Sequence, residues 1–283
     1  MKIILVYLVL QFITTLSFCQ NNGEILSDII DIENSLSDVY ISTTKNDPYK
    51  KYTNNSTIFY IPKPIKSKDY YAKNEIMNHV ISRKTDFAIL SKSRIYAITS
   101  GTLITQKELK ITYHRYLTIW KFYKNNSWQI ELNAINPQPK LLTDKKPQFL
   151  EPIENKNNFN NNLIDKRLGE ELIFETDLSL SKELDLKGNR VFKKFYGDNI
   201  HLFLPNKVPI FGKENVLNKI TGINLLYNSN PIKAIRDPIG DIAYTTGTAT
   251  IGQDSYNYIR VWQKDKEMRW NIIIDMYVNQ KEW

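Results

Sequence analysis

Cysteine is almost absent from this chain: Cys19 is the only one among 283 residues. It closes an uncharged, apolar run that ends at Phe18 and follows the basic start Met1-Lys2. A basic start, an apolar run and a short cleavage region are typical of a secretory signal peptide. We therefore predict that residues 1–19 are removed and that Gln20 begins the mature chain. That chain would have no thiol for a disulfide, a metal or nucleophilic catalysis.

Two other interpretations of the N-terminus stay open. The apolar run could be a retained anchor, although it is short of the roughly 20 apolar residues that cross a bilayer. Cys19 could instead carry a lipid, although bulky Phe18 stands where a small residue is usual before a lipidated cysteine. No later segment is long and apolar enough to span a membrane. We expect a Sec-exported protein that is periplasmic or secreted.

Histidine is also scarce, with only His79, His114 and His201 in the chain. We expect His79 on a helix and the other two on strands, with no spacing that would gather metal ligands. The sequence also lacks a phosphate-binding loop, a dinucleotide-binding glycine fingerprint and a nucleophile elbow. The expectation is therefore no metal and no cofactor.

The basic charge is unevenly distributed. Residues 20–150 contain 19 Lys+Arg against 12 Asp+Glu, whereas residues 151–283 contain 18 of each. The lysines and arginines form no cluster with interleaved aromatic residues, which a nucleic-acid surface would need. We interpret the excess as a solvated basic surface and expect no nucleic-acid partner.

An internal repeat is the strongest signal in the sequence. Three aromatic pairs are each separated by 142 positions: Tyr116 and Tyr258, Trp120 and Trp262, Trp128 and Trp270. Upstream, ITSG ends at Gly101 and YTTG ends at Gly247, 146 positions apart. The small change in spacing lies in a predicted hairpin, where insertions are tolerated. The chain therefore holds two copies of one domain.

A segment rich in proline and asparagine separates the copies, which indicates a linker. The predicted domains are 20–136 and 166–283, joined by a linker over 137–165. Each copy begins with a helical pattern; in the second it runs from Leu168 to Leu186 with Leu172 on its apolar face.

A short strand, a second helix near Lys73 or Lys213, and three or four alternating strands follow in each copy. Gly101 and Gly247 fall in mid-strand, where glycine usually marks a bulge or bend. In the last strand, alternation would put Trp270, Ile272, Ile274 and Met276 on one face. The predicted class is α+β: two cone-shaped barrels, each with helices on a curved, mainly antiparallel sheet.

The second copy resembles the nuclear transport factor 2-like superfamily, in its SnoaL-like and ketosteroid-isomerase-like branch. The resemblance rests on an acidic first helix, FYGDNIHLFLP, FGKENVL, GDIAYTTGTATI and YIRVWQKDKEMRWNIIIDM, in that order. The first copy is more divergent, with Asn133 where the second has Asp275. The resemblance implies a cone with a pocket between helices and sheet, but it implies no particular activity.

Proton transfer in such a pocket needs a carboxylate whose pKa is raised by burial. Asp177 and Asp275 are the candidate catalytic bases; Asp198 lies in a Gly-Asp-Asn sequence typical of a turn. Tyrosine hydroxyls could donate hydrogen bonds to a ligand oxygen. The candidate ligand-binding residues are Asp177, Tyr227, Tyr244, Tyr258 and Asp275.

Three functions are consistent with these features. The first is a non-catalytic module that binds a small apolar or amphipathic ligand in the second domain. The second is an isomerase- or dehydratase-like enzyme with a carboxylate base. The third is a structural or interaction protein whose pockets are filled by side chains. An open or a filled interior in the second domain would separate the third from the others.

The two copies are also expected to pack against each other as an intramolecular pseudo-dimer. Related single domains often dimerise through the outer face of the sheet, and a covalent linker raises the local concentration of one copy near the other. Tyrosine and arginine are enriched at interfaces. The residues assigned to this face are Tyr113, Arg115, Tyr123, Asp275 and Tyr277.

Overall fold

The structure is a computed structural model, in which the described residues are 21–37, 39–42, 48–72, 76–140, 146–150, 152, 166–222 and 227–280. The predicted signal peptide and most of the predicted linker lie outside these residues. The described chain forms two α+β units, one before residue 153 and one after residue 165.

Among its described residues, the first unit has two α-helices and eight strands. Its helices are α1 (Asn22–Asn34) and α2 (Ser67–Tyr71). Its strands are β1 (Val39–Ser42), β2 (Ile58–Tyr60), β3 (Pro64–Lys66), β4 (Ile76–Leu90), β5 (Tyr96–Lys107), β6 (Lys110–Tyr123), β7 (Ser127–Gln138) and β8 (Gln148–Leu150).

The second unit has three helices and six strands among the described residues. Its helices are α3 (Lys166–Lys187), α4 (Phe192–Phe195) and α5 (Lys213–Gly222). Its strands are β9 (Tyr196–Phe203), β10 (Ile210–Phe211), β11 (Tyr227–Arg236), β12 (Ile242–Ile251), β13 (Asp254–Lys264) and β14 (Trp270–Asn279).

The two sheets share one strand order. The first runs β3-β2-β7-β6-β5-β4-β1, and the second runs β10-β9-β14-β13-β12-β11. In each, a four-strand antiparallel meander is followed by a parallel pairing, β7 with β2 and β14 with β9. The expected fold class, two α+β units with mainly antiparallel sheets, is therefore confirmed.

Helix α1 begins at a capping box. The Asn21 side chain accepts a hydrogen bond from the Glu24 backbone N–H at 2.8 Å, and the Glu24 carboxylate accepts one from the Asn21 N–H at 3.0 Å. Ile25, Ile29 and Glu33 are buried against the sheet. The helix therefore brings a carboxylate into the interior together with its apolar face.

Helix α3 also buries a polar row. Its buried residues are Gly169, Ile173, Asp177, Leu180, Ser181 and Leu184. Leu172, expected on the apolar face, is 50% exposed. The buried face is rotated by one residue because it contains Asp177 and Ser181, which a purely apolar pattern passes over.

The first unit differs from the prediction after β3. Helix α2 ends at Tyr71, before the expected helix start at Lys73, and residues from Ile76 onward form strand β4. His79 therefore lies on a strand and not on a helix. Pairing of β4 with both β1 and β5 overrides the local helical similarity to the second copy. In the second unit, the helix expected near Lys213 is confirmed.

Gly101 and Gly247 each face a bulge in the neighbouring strand. A Cβ at Gly101 would lie 2.0 Å from the Lys84 carbonyl oxygen, and one at Gly247 would lie 2.2 Å from that of Asn230. Both glycines let a bulged strand approach closely, so the expected association with bulges is confirmed.

A third irregularity, a bulge in β14 between Ile272 and Ile274, changes which side of the sheet the following side chains face. The register between β13 and β14 shifts so that Val261 pairs with Ile274 and Trp262 with Ile272. Ile272 consequently faces the helices, whereas Ile274 and Met276 face the other way. The expectation of one shared face for these residues is wrong, because a bulge breaks the alternation of period two.

The outer faces of the two sheets pack on each other through one mixed apolar cluster. Its buried members in the first unit are Tyr60, Phe87, Ile89, Tyr96, Ile98, Leu117, Ile119, Leu132 and Ala134. In the second unit they are Phe203, Ile242, Tyr244, Ile259, Val261, Ile273, Ile274, Met276 and Val278. Arg115 lies near this contact, 4.9 Å from the centroid of the Phe203 ring. Asp275 and Tyr277, assigned to this face from the sequence, lie instead on the face that meets the helices.

The segment between the units is partly structured. Pro137 and Gln138, expected to start the linker, are the last residues of β7, and β8 pairs in parallel with β4. The Pro137 carbonyl accepts a hydrogen bond from the Asn206 N–H at 2.8 Å, which links the two units. No helix in the described parts of the chain is long and apolar enough to cross a membrane.

Candidate functional site

The interior of the second unit is built around one buried arginine. Arg260 on β13 lies between Asp177 on α3 and Asp275 on β14, and all three side chains have 0% exposure. We call this group and its hydrogen-bonded neighbours the Arg260 cluster. Its members are Asp177, Tyr196, Ser229, Tyr258, Arg260, Asp275 and Tyr277.

The guanidinium of Arg260 donates in three directions. Nη1 donates to Asp177 Oδ1 at 2.5 Å and to Ser229 Oγ at 3.2 Å. Nε donates to Asp275 Oδ1 at 3.3 Å. Nη2 donates to the Tyr277 hydroxyl oxygen at 3.3 Å. A buried cation needs such a complete set of acceptors, because leaving a charge unpaired in a protein interior is costly.

Tyrosine hydroxyls donate hydrogen bonds to the remaining carboxylate oxygens of Asp177 and Asp275. Tyr258 donates to Asp177 Oδ2 at 2.8 Å, and Tyr196 donates to Asp275 Oδ2 at 2.7 Å. Tyr277 also donates to Asp275 Oδ2, at 3.1 Å. Both aspartates are therefore fully engaged within the protein, and neither has an oxygen directed at an open space.

The electrostatics support a stable ion-paired state. Burial alone lowers the pKa of Arg260, but Asp177 and Asp275 raise it well above its usual value. Burial raises the pKa of Asp275, while Arg260 opposes that shift. Burial also raises the pKa values of Tyr196 and Tyr258, so both hydroxyls stay protonated and donate.

The structure brings together four of the five candidate ligand-binding residues. Asp177, Tyr258 and Asp275 belong to the Arg260 cluster, and the Tyr227 ring lies 5.9 Å from that of Tyr277. The Tyr227 hydroxyl is buried and makes no hydrogen bond with any described residue.

The fifth candidate, Tyr244, lies on the opposite face of the sheet. There its hydroxyl donates to Glu131 of the first unit at 3.4 Å. Asp198 is 95% exposed at the side chain and lies 4.0 Å from Lys213 Nζ. Neither residue reaches the interior of the second unit.

The first unit has a comparable buried pair. Arg83 Nε donates to Glu33 Oε2 at 2.5 Å, and both side chains have 0% exposure. Trp120 Nε1 donates to Glu33 Oε1 at 3.0 Å. The guanidinium lies over the ring of Tyr116, 3.5 Å from its centroid, as that of Arg260 lies 4.2 Å from the centroid of Tyr258.

The two arginines come from different strands. On β4, Arg83 lies two residues before Thr85, which pairs with Gly101. On β11, Ser229 lies two residues before Pro231, which pairs with Gly247. Arg83 and Ser229 therefore occupy equivalent positions. Conversely, Thr118 occupies the position of Arg260 in the aromatic repeat. In each unit the arginine donates to the residue at the exchanged position: Arg83 to Thr118 at 3.0 Å, and Arg260 to Ser229 at 3.2 Å.

The exchange explains why the first unit has Asn133 where the second has Asp275. The Asn133 side chain donates to Thr118 at 2.9 Å, so no second carboxylate is required there. Each unit therefore keeps a buried arginine that ties its first helix to its sheet through a helix carboxylate. This shared arrangement is typical of an internal structural anchor.

Arg260, Tyr196 and Tyr277 belong to the site but are not among the residues predicted from the sequence. Arg260 carried a signal, since it alternates with Tyr258 and Trp262 on one face of β13. A charge within an aromatic, buried face requires a buried counter-charge. Tyr196 gave no comparable signal, because only the parallel pairing of β9 with β14 brings it to Asp275.

Comparisons with known proteins add little beyond the fold. No protein-family model and no curated protein matches the chain. Among solved structures, a nuclear transport factor 2-like protein from Cytophaga hutchinsonii has 16% identity and a TM-score of 0.30, covering 38% of this chain and 93% of its own. Nuclear transport factor 2 from Cryptosporidium parvum has 14% identity and a TM-score of 0.31, covering 40% and 93%.

A third similar structure extends over both units. This nuclear transport factor 2-like protein from Bacteroides fragilis covers 84% of this chain and 92% of its own, at 9% identity and a TM-score of 0.23. These proteins are of the fold type that the sequence resembles. At such identities and TM-scores they say nothing about activity, so any functional argument must rest on the site of this chain.

Proposed function

We propose that this chain is an exported, non-catalytic interaction protein, built from two fused units whose interiors are filled by their own side chains. The single observation that carries the proposal is the Arg260 cluster. Asp177 and Asp275, the two carboxylates that could act as bases, are fully buried and bound to one guanidinium. A carboxylate held in this way cannot accept a substrate proton without losing its ion pair with a buried cation.

The same observation argues against a small-ligand pocket in the second unit. A ligand site needs a concave, accessible space of about 300–1,000 Å³ with a few polar groups directed into it. Here the polar groups are directed at one another, and Phe192, Tyr196, Tyr227 and Tyr277 pack beside them as an aromatic group. The filled-interior alternative is therefore the one that the geometry favours.

A ligand titration tests this proposal. Methyl NMR signals of Ile200 and Ile272, both buried in the interior, would be followed while a steroid, a fatty acid or indole is added. We expect no saturable shift with the parent chain. Tyr227→Ala, which removes a ring packed against Phe192 and Tyr277, should create a cavity that admits indole and serves as the positive control. Saturable binding of any of these compounds to the parent interior would overturn the proposal.

Export forms the second part of the proposal and rests on the N-terminal pattern. Mass spectrometry of protein collected outside the cytoplasm should give a chain that begins at Gln20, either as it is or cyclised. A mass that includes a diacylglyceryl group on Cys19 would instead identify a lipoprotein. A chain that retains Met1 and stays in the cytoplasm would contradict export altogether.

A further inference from the structure

A groove on the first unit has features of a ligand site that the interior of the second unit lacks. Its volume is about 390 Å³. It is lined by Lys50, Thr53, Asn54, Asn55, Ser67, Lys68, Tyr71 and Ala72. We propose that this groove, the Lys50–Lys68 groove, binds a small hydroxylated organic anion, such as an acidic sugar or a sugar phosphate. The proposal goes beyond the filled interior of the second unit and does not depend on it.

The charge of the lining favours an anion. Lys50 and Lys68 contribute two ammonium groups, and none of the described lining residues is acidic. Among the ion pairs of the described residues, none uses either lysine. The groove also lies in the half of the chain with the excess of basic residues. Two unpaired cations beside one concave surface attract a carboxylate or phosphate group.

One wall of the groove is fixed in place by hydrogen bonds. The Asn54 side chain donates to Gln129 Oε1 on β7 at 2.8 Å, and the backbone N–H of Asn54 donates to Thr57 Oγ1 at 3.0 Å. Thr57 is buried and donates in turn to the Ile130 carbonyl at 2.5 Å. Ser67 Oγ donates to the Asn54 carbonyl at 2.5 Å. A wall anchored to the sheet loses little conformational entropy when a ligand binds.

An aromatic residue positions one of the two cations. Lys50 Nζ lies 5.3 Å from the centroid of the Tyr71 ring, a cation–π distance. The Tyr71 ring is held by Phe59 at 6.1 Å and by Tyr70 at 5.1 Å, both edge to face. Tyr70 and Phe59 are buried, so this support belongs to the core of the unit. The contact with Tyr71 therefore favours a position of the Lys50 ammonium at the groove.

The remaining lining residues suit hydroxyl groups. Asn55 is exposed at the surface, and Thr53 and Ser67 add hydroxyl oxygens that can accept hydrogen bonds. An anion with several hydroxyls would use both the cations and these neutral groups. The small volume and the pair of cations fit a single charged group better than a polyanion such as a nucleic acid.

An NMR titration of the full chain with three probes tests the proposal. The probes are glucuronate, glucose 6-phosphate and glucose, which share hydroxyl groups but differ in charge. We expect saturable shifts around the groove with at least one of the two anions, and binding at least about tenfold weaker with glucose, since charge-assisted hydrogen bonds are lost. The two anions also distinguish a carboxylate from a phosphate as the preferred group.

Matched lysine variants locate the site. The double substitution Lys50→Gln with Lys68→Gln should weaken anion binding by about tenfold or more. The control, Lys63→Gln with Lys66→Gln, removes the same charge from two exposed lysines of the same segment that do not line the groove. Thermal unfolding of both variants should match the parent, which shows that each is folded.

Three outcomes would overturn the proposal. The first is the absence of saturable shifts with either anion at concentrations up to tens of millimolar. The second is equal affinity for glucose and the anions. The third is an equal loss of binding in the control variant, which would assign the effect to overall charge and not to the groove.

Discussion

At the scale of the residue, we predict that breaking a buried ion pair of the Arg260 cluster lowers stability more than breaking an exposed ion pair does. Asp177→Asn leaves the buried Arg260 paired with Asp275 alone and should lower the free energy of unfolding by about 1–3 kcal/mol. Arg269→Gln breaks pairs with Asp265 and Glu267, but Arg269 is 72% exposed and solvent screens both pairs, so the loss should be much smaller. Urea denaturation of both variants measures the difference.

The result also bears on function. If Asp177→Asn costs no more than Arg269→Gln, water must reach Arg260 in the second unit. The interior would then be accessible, and a ligand pocket or a catalytic carboxylate would again be a reasonable hypothesis. A large loss is what a closed, structural interior requires.

Gly101 and Gly247 lead to a second prediction at this scale. An alanine at either position would push its Cβ to within 2.0 or 2.2 Å of a backbone carbonyl oxygen. Backbone in the centre of a sheet cannot move aside easily, so each substitution should cost about 2 kcal/mol or more. Gly222→Ala is the control, since a Cβ there meets nothing within 4 Å. Thermal unfolding should separate the two strand variants from a nearly unchanged control.

These two glycines were identifiable from the sequence because they recur in both copies. The faces of single side chains were harder to predict. Tyr244 and Tyr258 lie on the neighbouring strands β12 and β13, but they point to opposite sides of the same sheet. Alternation tells which residues share a face, but it does not tell which face meets the helices.

At the scale of the element, local irregularities limited the prediction. The bulge between Ile272 and Ile274 turned Asp275 and Tyr277 toward the helices, although they had been assigned to the contact between copies. A bulge is set by packing on both sides of the strand, which a single sequence does not display. The positions of helices α3 and α5 in the second unit, by contrast, were predictable because sequence periodicity is a local property.

One inter-element contact predicts a pH dependence of stability. The turn between β11 and β12 meets the loop after β4: Asp241 Oδ2 accepts from the Lys92 N–H at 3.0 Å, and Asp237 accepts from the Ser93 hydroxyl. Burial, and then Asp237, raises the pKa of Asp241 from 3.8 to about 7. The charged or titratable groups that interact with this pair are Lys92, Tyr96, Arg236 and Lys264.

The sign follows from the raised pKa. The folded state holds the proton of Asp241 up to pH about 7, whereas the unfolded state releases it near pH 3.8. Stability should therefore fall as pH rises between these values, by about 1.4 kcal/mol per pH unit, and level off above them. His114 acts oppositely, because burial lowers its pKa from 6.5 to about 4 and stability is lost as pH falls through that window.

A comparison of variants isolates the aspartate. Asp241→Asn removes the titrating group and keeps its shape, so the difference in unfolding free energy from the parent should change between pH 4 and pH 7 with the sign given above. His114 makes the same contribution to the unfolding free energy of the parent and of the variant, so its contribution cancels in the difference. A difference that is constant across this range would contradict the raised pKa of Asp241.

At the scale of the whole molecule, the repeat was the most informative feature of the sequence. The paired Tyr, Trp and Gly residues occupy equivalent strands in two sheets whose six corresponding strands have the same order. The same alignment was misleading at Ile76 and Met77, which align with helix α5 of the second unit but lie on strand β4. A repeat in the sequence therefore predicts the order of the strands more reliably than it predicts the secondary structure of a single short segment.

The final prediction concerns how the units behave together in solution. The apolar cluster between the sheets contains residues that are nearly all inaccessible, and separating the units would expose them to water. Small-angle scattering of the mature chain should give one compact particle with a radius of gyration of about 18–20 Å, as expected for a globule of this length. Limited proteolysis should cut first between Pro137 and Asp165.

A charged substitution tests whether the cluster holds the units together. Met276→Asp places a carboxylate in the apolar contact and should enlarge the particle or lower its solubility. Val208→Asp, at a position that is 37% exposed, is the control and should leave the scattering unchanged. Two lobes of variable separation in the parent chain would show that the sheets part in solution. In that case the outer sheet faces, and not only the groove on the first unit, would be open to partners.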